Sequence, residues 1–128
     1  MAIQIKSIER GQPGVAGGGT KKFYASPVHG REITLEGLTR SIERTSTVSG
    51  ADIRAVLYAM VESAVDGLSE GRIIRLGDLG SMRITISSEG KNTPEEVTVS
   101  AVKKAGVIFT PGKKLQDMLK TVKYTKVQ

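Results

Sequence analysis

The chain has 128 residues, enough for one domain with a sizeable core and too few for two independent ones. Apolar residues make up 38% and aromatics 4%, with no Trp, so the core must be largely aliphatic. The absence of Cys excludes disulfides and thiolate metal sites and fits a reducing cytoplasm. No stretch approaches the roughly 20 apolar residues that span a bilayer, and the N-terminus lacks an apolar signal-peptide core, so a soluble, cytoplasmic protein is expected.

The net charge is +6, and its distribution is uneven. Residues 1–33 carry five Lys/Arg against two Glu, whereas residues 34–71 carry three Arg against six acids. Residues 72–112 have six cations against four acids, and residues 113–128 have five against one. An acidic helical body flanked by basic segments creates a face able to attract phosphates. The plainer alternative is a solvated surface with a basic tail.

Residues 2–9 alternate apolar and polar, the period of a half-buried strand. The run Gly11 to Gly19 is too glycine-rich to pack and reads as a loop, after which Lys21 to Val28 supplies a second strand with Phe23 and Tyr24. Thr34 caps a helix reaching about Arg44, with Leu35, Leu38 and Ile42 at core spacing. Ser49 caps the next helix, and Asp52 completes an S-x-x-D box. The apolar stripe Ile53, Val56, Leu57, Met60, Val61, Ala64, Val65 and Leu68 runs to Gly71, which stops the helix. Two helices and a few strands can hardly cover so wide a stripe, which suggests a dimer; one side of a monomer core is the alternative.

Strands are expected at Arg72–Leu76 and Ser81–Ser87 around the turn Gly77-Asp78-Leu79-Gly80. The segment SSEGKNTPEE reads as a hairpin tip, Val97–Val99 as the returning strand and Val107–Thr110 as the next. A short helix over about 113–120 follows, then an alternating segment from Thr121 to Val127. Since a lone hairpin is marginal in water, this last strand is expected to join the N-terminal pair in a small accessory sheet.

Residues suited to catalysis are sparse. His29 is the sole histidine and cannot build a metal site, and no Ser lies in a G-x-S-x-G elbow. Gly17 to Lys21 is superficially similar to a phosphate loop but lacks its spacing and its following helix. Binding has better support. Lys113 and Lys114 open a helix just after Pro111 and Gly112, where unsatisfied N–H groups already favour an anion. The alternative is that these lysines merely tolerate an unfavourable helix end.

The run SEGRIIRLGDLGSMRI, with Gly77 and Gly80 inside a strand-like stretch, and the run GVIFTPGKKLQDML, with Phe109, Pro111, Gly112 and Lys113, together resemble the HU/IHF family of histone-like bacterial DNA-binding proteins. The resemblance covers about residues 33–120. It implies an α+β, HU/IHF-like fold: two N-terminal helices packed on a β-sheet with an extended β-arm and a short C-terminal helix. The whole chain then reads as a single HU-like domain. Residues 1–33 form an N-terminal strand extension, 34–120 the HU-like core and 121–128 a C-terminal strand, a variant form associated with Bacteroidetes.

The resemblance further implies a non-catalytic homodimer in the bacterial nucleoid. Its partner would be double-stranded DNA, bound largely without sequence preference to compact or bend it, with no cofactor, metal, membrane or small-molecule substrate. The implied DNA contacts are Arg72 and Arg75 on the first sheet strand, Arg83, Lys91, Lys103 and Lys104 on the arm and its return, and Lys113 and Lys114 at the last helix. Pro94 stands near the place of the family's arm-tip wedge. The tip departs from the family's R-N-P, however, reading Lys91-Asn92-Thr93-Pro94 with Glu95 and Glu96 next, so a plain turn proline is the alternative. Lys21, Lys22, Lys120, Lys123 and Lys126 could extend the DNA footprint or guard an exposed edge strand. The depleted arm charge keeps a second function open, an HU-like dimeric scaffold or protein-interaction module with weak or no DNA binding.

Overall fold

A computed structural model describes residues 2–127. The chain divides into two compact units, one comprising Ile33–Asp117 and the other residues 2–32 with 118–127. The fold is α+β, with three helices and two three-stranded sheets among the described residues.

In the unit Ile33–Asp117, helix α1 (Leu35–Thr45) is capped by Thr34, whose side chain accepts the Gly37 N–H. Helix α2 (Gly50–Ser69) is capped by Ser49, which accepts the Asp52 N–H at 3.3 Å. Only this half of the expected box forms among the described residues. The Gly50 N–H instead donates to the Glu43 carboxylate at 2.7 Å, and Arg54 pairs with Glu36 at 2.6 Å, so both ends of α1 are tied to the N-terminal part of α2. Gly71 sits at φ +79°, with Arg72 N–H on the Gly67 carbonyl and Gly71 N–H on that of Leu68. This left-handed cap ends α2 where the glycine foretold it.

The expected α1 core positions are only partly covered. Leu35 is half-buried and Leu38 and Ile42 are exposed, while Thr39 is the fully buried residue, satisfied by donating to the Leu35 carbonyl at 2.8 Å. Along α2 the centre of the stripe is covered, with Ile53 and Ala64 buried and Leu57 and Leu68 half-buried. Its flanks are bare: Tyr58, Val61 and Val65 are 59%, 50% and 58% exposed.

Strand β3 (Ile74–Arg75) pairs antiparallel with β4 (Gly80–Ser88), which pairs antiparallel with β5 (Val102–Pro111). Between β3 and β4 the turn Gly77–Leu79 is a single 3₁₀ turn. The expected returning strand at Val97–Val99 does not form. Pro94–Glu96 and Val99–Ala101 are 3₁₀ turns, and the return is the single strand β5, longer than the expected Val107–Thr110. Pro94 opens its turn because a fixed φ and missing N–H suit that position. The second turn folds Ala101 into a buried site, where its carbonyl accepts the Glu89 N–H. Helix α3 (Lys113–Thr121) follows β5.

In the other unit, β1 (Ile3–Arg10) pairs antiparallel with β2 (Lys22–Val28) and parallel with β6 (Tyr124–Lys126), giving the order β2-β1-β6. The accessory sheet anticipated from the alternating termini is therefore present. The glycine run forms a 3₁₀ turn at Ala16–Gly18 and leads into β2, a strand, so no helix follows it as a phosphate loop requires.

Candidate nucleic-acid interface

Strand alternation and register sort the β3-β4-β5 side chains onto two faces. Residues directly opposite one another share a face. One face holds Ile74, Met82 and Phe109 in a row, then Ile84 with Val107 and Ile86 with Ala105. It meets α2 at its Ile74 end, where a Cβ on Gly67 would collide with the Ile74 side chain.

The opposite face is polar. Arg75, Ser81 and Thr110 form its first row, Arg83 stands beside Ile108, Thr85 beside Gly106 and Ser87 beside Lys104. Arg83 lies about 7 Å along β4 from the Arg75 row, and Lys104 about 13 Å beyond that. Three of the expected DNA contacts thus align over about 20 Å of one face, separated by small hydroxyl side chains that leave room for a polyanion. No acid stands on this face among the described strand residues.

At one end of the face the start of α3 docks on the Gly77–Leu79 turn. Gly112 donates its N–H to the Leu79 carbonyl at 2.9 Å, and its own carbonyl accepts the Gln116 N–H, making it the helix cap. A Cβ on Gly112 would run into the Asp78 carbonyl, so the close approach needs glycine. Arg75, Gly77, Ser81, Thr110 and Gly112 line a shallow depression of about 260 Å³ at this junction. An arginine, two hydroxyls and a helix N-terminus around one hollow suit a phosphate group.

The remaining expected contacts differ in their surroundings. Arg72 pairs with Glu70 at 3.3 Å, Lys91 with Glu89 at 3.3 Å, and Lys113 with Asp117 at 2.8 Å. Lys114 is exposed in the first turn of α3, and among the described residues neither it nor Arg75, Arg83, Lys103 or Lys104 makes an ion pair. Lys103 is the extra residue of an irregularity in which Ser87 faces Lys104 and Ser88 faces Val102, so alternation does not fix its face. Pro94 is exposed, and its carbonyl accepts the Val97 N–H within a turn that also holds Glu95 and Glu96.

Sequence reasoning passed over Ser81 and Thr110 as members of the polar face. Their signal was available in the alternation on either side of Met82 and Phe109, but it needed the register between β4 and β5.

Comparison with known proteins agrees with this architecture. The family described as an HU domain fused to wHTH, Ig, or glycine-rich motif matches residues 1–126. No curated protein matches the chain. A crystal structure of a Bacteroides vulgatus ATCC 8482 protein, provisionally described as a bacterial DNA-binding protein, is similar with a TM-score of 0.67 at 17% identity. The similarity covers 99% of this chain and 49% of that one, so the chain spans about half the length of its structural neighbour.

Proposed function

The chain belongs to the family of HU domains fused to wHTH, Ig, or glycine-rich motifs, and from that premise we propose that it is a non-catalytic, homodimeric protein that binds double-stranded DNA. Binding is largely independent of sequence, and the role is architectural, compacting or bending DNA in the bacterial nucleoid. The observation that carries this reading is the alignment of Arg75, Arg83 and Lys104 on the acid-free face of β3-β4-β5. Cations spaced along a sheet neutralise phosphates and release counterions, which gives affinity without reading bases. Side chains suited to base edges, such as clustered Arg, Asn and Gln on a helix, are not a feature of this face.

The apolar surface left bare supports the dimer. Only Ile53, Ala64 and Ala101 are buried apolar residues among those described, while Val56, Val61, Val65, Ile86 and Val107 are exposed. So many exposed apolar side chains are costly in water and typical of an interface awaiting its partner. Because the same residues occur on every copy, a twofold pair covers them economically.

One observation favours a second reading, a scaffold that binds protein. The segment joining β4 to β5 carries Glu89, Glu95 and Glu96 against the single cation Lys91, a balance that repels phosphate. A gel shift with random-sequence duplex at moderate salt separates the two. The DNA reading expects a shift at micromolar protein, lost when Arg75, Arg83 and Lys104 are replaced together by Gln. No shift with the unaltered chain favours the scaffold.

A further inference from the structure

The accessory sheet also has two unlike faces. Register places Lys6, Arg10 and Lys22 on one of them, together with Gln4, Ile8, Tyr24, Ser26 and Val28. Glu9, the only acid among the described residues of β1, β2 and β6, belongs to the other face with Phe23. That other face is otherwise largely apolar, and Ile3, Ile5, Ala25, Pro27 and Tyr124 line a depression of about 480 Å³ on it. The first face therefore gathers three cations and no acid, while Lys126, paired with Ile5, falls on the face that holds Glu9.

All three cations are exposed, and among the described residues none makes a salt bridge. The Arg10 guanidinium lies over the Tyr24 ring, 5.0 Å from its centre. Stacking of this kind limits the arginine's freedom while leaving its in-plane N–H fork available to a phosphate. Lys6 and Arg10 stand about 13 Å apart along β1, the rise of about four base pairs. Lysines that only guard a sheet edge have no need of a common face or of an acid-free one.

We propose that this face of the accessory sheet, through Lys6, Arg10 and Lys22, is a second surface for the DNA phosphate backbone, distinct from Arg75, Arg83 and Lys104. The inference rests on the DNA-binding reading above. A chain already held on DNA presents the sheet to a high local concentration of phosphate, so three cations suffice where they would bind weakly alone.

The test is a salt titration of duplex affinity by fluorescence anisotropy, comparing the unaltered chain with the triple variant Lys6→Gln, Arg10→Gln, Lys22→Gln. The slope of log K against log[salt] is expected to shrink by about 2.7 for each engaged sheet, with a loss of affinity of about ten- to a hundredfold at low salt. The charge-keeping variant Lys6→Arg, Lys22→Arg should retain the original slope, and unchanged thermal unfolding of both variants shows that the fold is intact. A triple variant that binds duplex like the original chain overturns this proposal and leaves the DNA reading standing. Failure of the original chain to bind duplex sinks the DNA reading itself. Loss of binding to anionic phospholipid vesicles with duplex affinity unchanged would overturn the proposal in favour of a membrane surface.

Discussion

Gly112 and Leu79 are joined by a hydrogen bond of 2.9 Å that seats the start of α3 on the turn before β4. Replacing Gly112 with Ala pushes a methyl group into the Asp78 carbonyl and forces the two segments apart. The expected cost is about 1–3 kcal/mol, the range for overpacking a tight contact. Gly71→Ala is the instructive contrast: it meets no neighbour within 4 Å but sits at φ +79°, so its cost is conformational and about 1–2 kcal/mol. Urea denaturation measures both losses. Only Gly112→Ala should also weaken DNA binding, because only it disturbs the hollow beside Arg75.

Glu43 should matter to stability more than an exposed helical acid ordinarily does. Its carboxylate accepts the Gly50 N–H at 2.7 Å, at the end of α2 where backbone donors lack partners. Glu43→Ala is expected to cost about 1–2 kcal/mol, since a charged acceptor and a helix terminus are both involved. Glu62→Ala, for which the structure gives no such bond, is the control and should change stability by less than about 0.5 kcal/mol.

How far the sequence foretold this arrangement varies with the kind of signal. Caps and stops were legible because each is a local backbone requirement: Thr34, Ser49 and Gly71 all bound helices as expected. The accessory sheet was legible from alternation alone. Val97–Val99 misled because valines favour strands, whereas Pro94 and the burial of Ala101 shape this segment into turns. The cationic face was legible only as a set of residue types. Nothing local says that Arg75, Arg83 and Lys104 share a side while Lys103 falls in an irregularity; that depends on long-range register.

Self-association should fail when charge enters the bare flank of α2. Val61 and Val65 are one turn apart and both about half exposed in the single chain, so burying the remainder against a partner contributes roughly 1 kcal/mol each. The double variant Val61→Asp, Val65→Asp is expected to sediment at 13.7 kDa while the unaltered chain sediments at twice that mass. Sedimentation of the unaltered chain as a monomer at micromolar concentration would remove the dimer from the account.

Pro94 is held in a 3₁₀ turn between Thr93 and two glutamates. Acids so close to the ring oppose its insertion between base pairs in a phosphate-lined groove. Pro94→Ala is accordingly expected to leave DNA bending, read by energy transfer between labelled duplex ends, unchanged. A clear reduction in bend angle would assign the wedge to this proline after all.

The central claim is that phosphate neutralisation by side chains of the β3-β4-β5 face supplies the affinity. Its most direct test is the dependence of duplex affinity on salt for the unaltered chain. With about six phosphates contacted by the β3-β4-β5 faces of a dimer, log K should fall against log[salt] with a slope of about −5 or steeper, and Arg83→Gln and Lys104→Gln, each carried by both protomers, should each reduce that slope by about 1.8. An affinity that stays constant as salt rises, or slopes that ignore both substitutions, would contradict it.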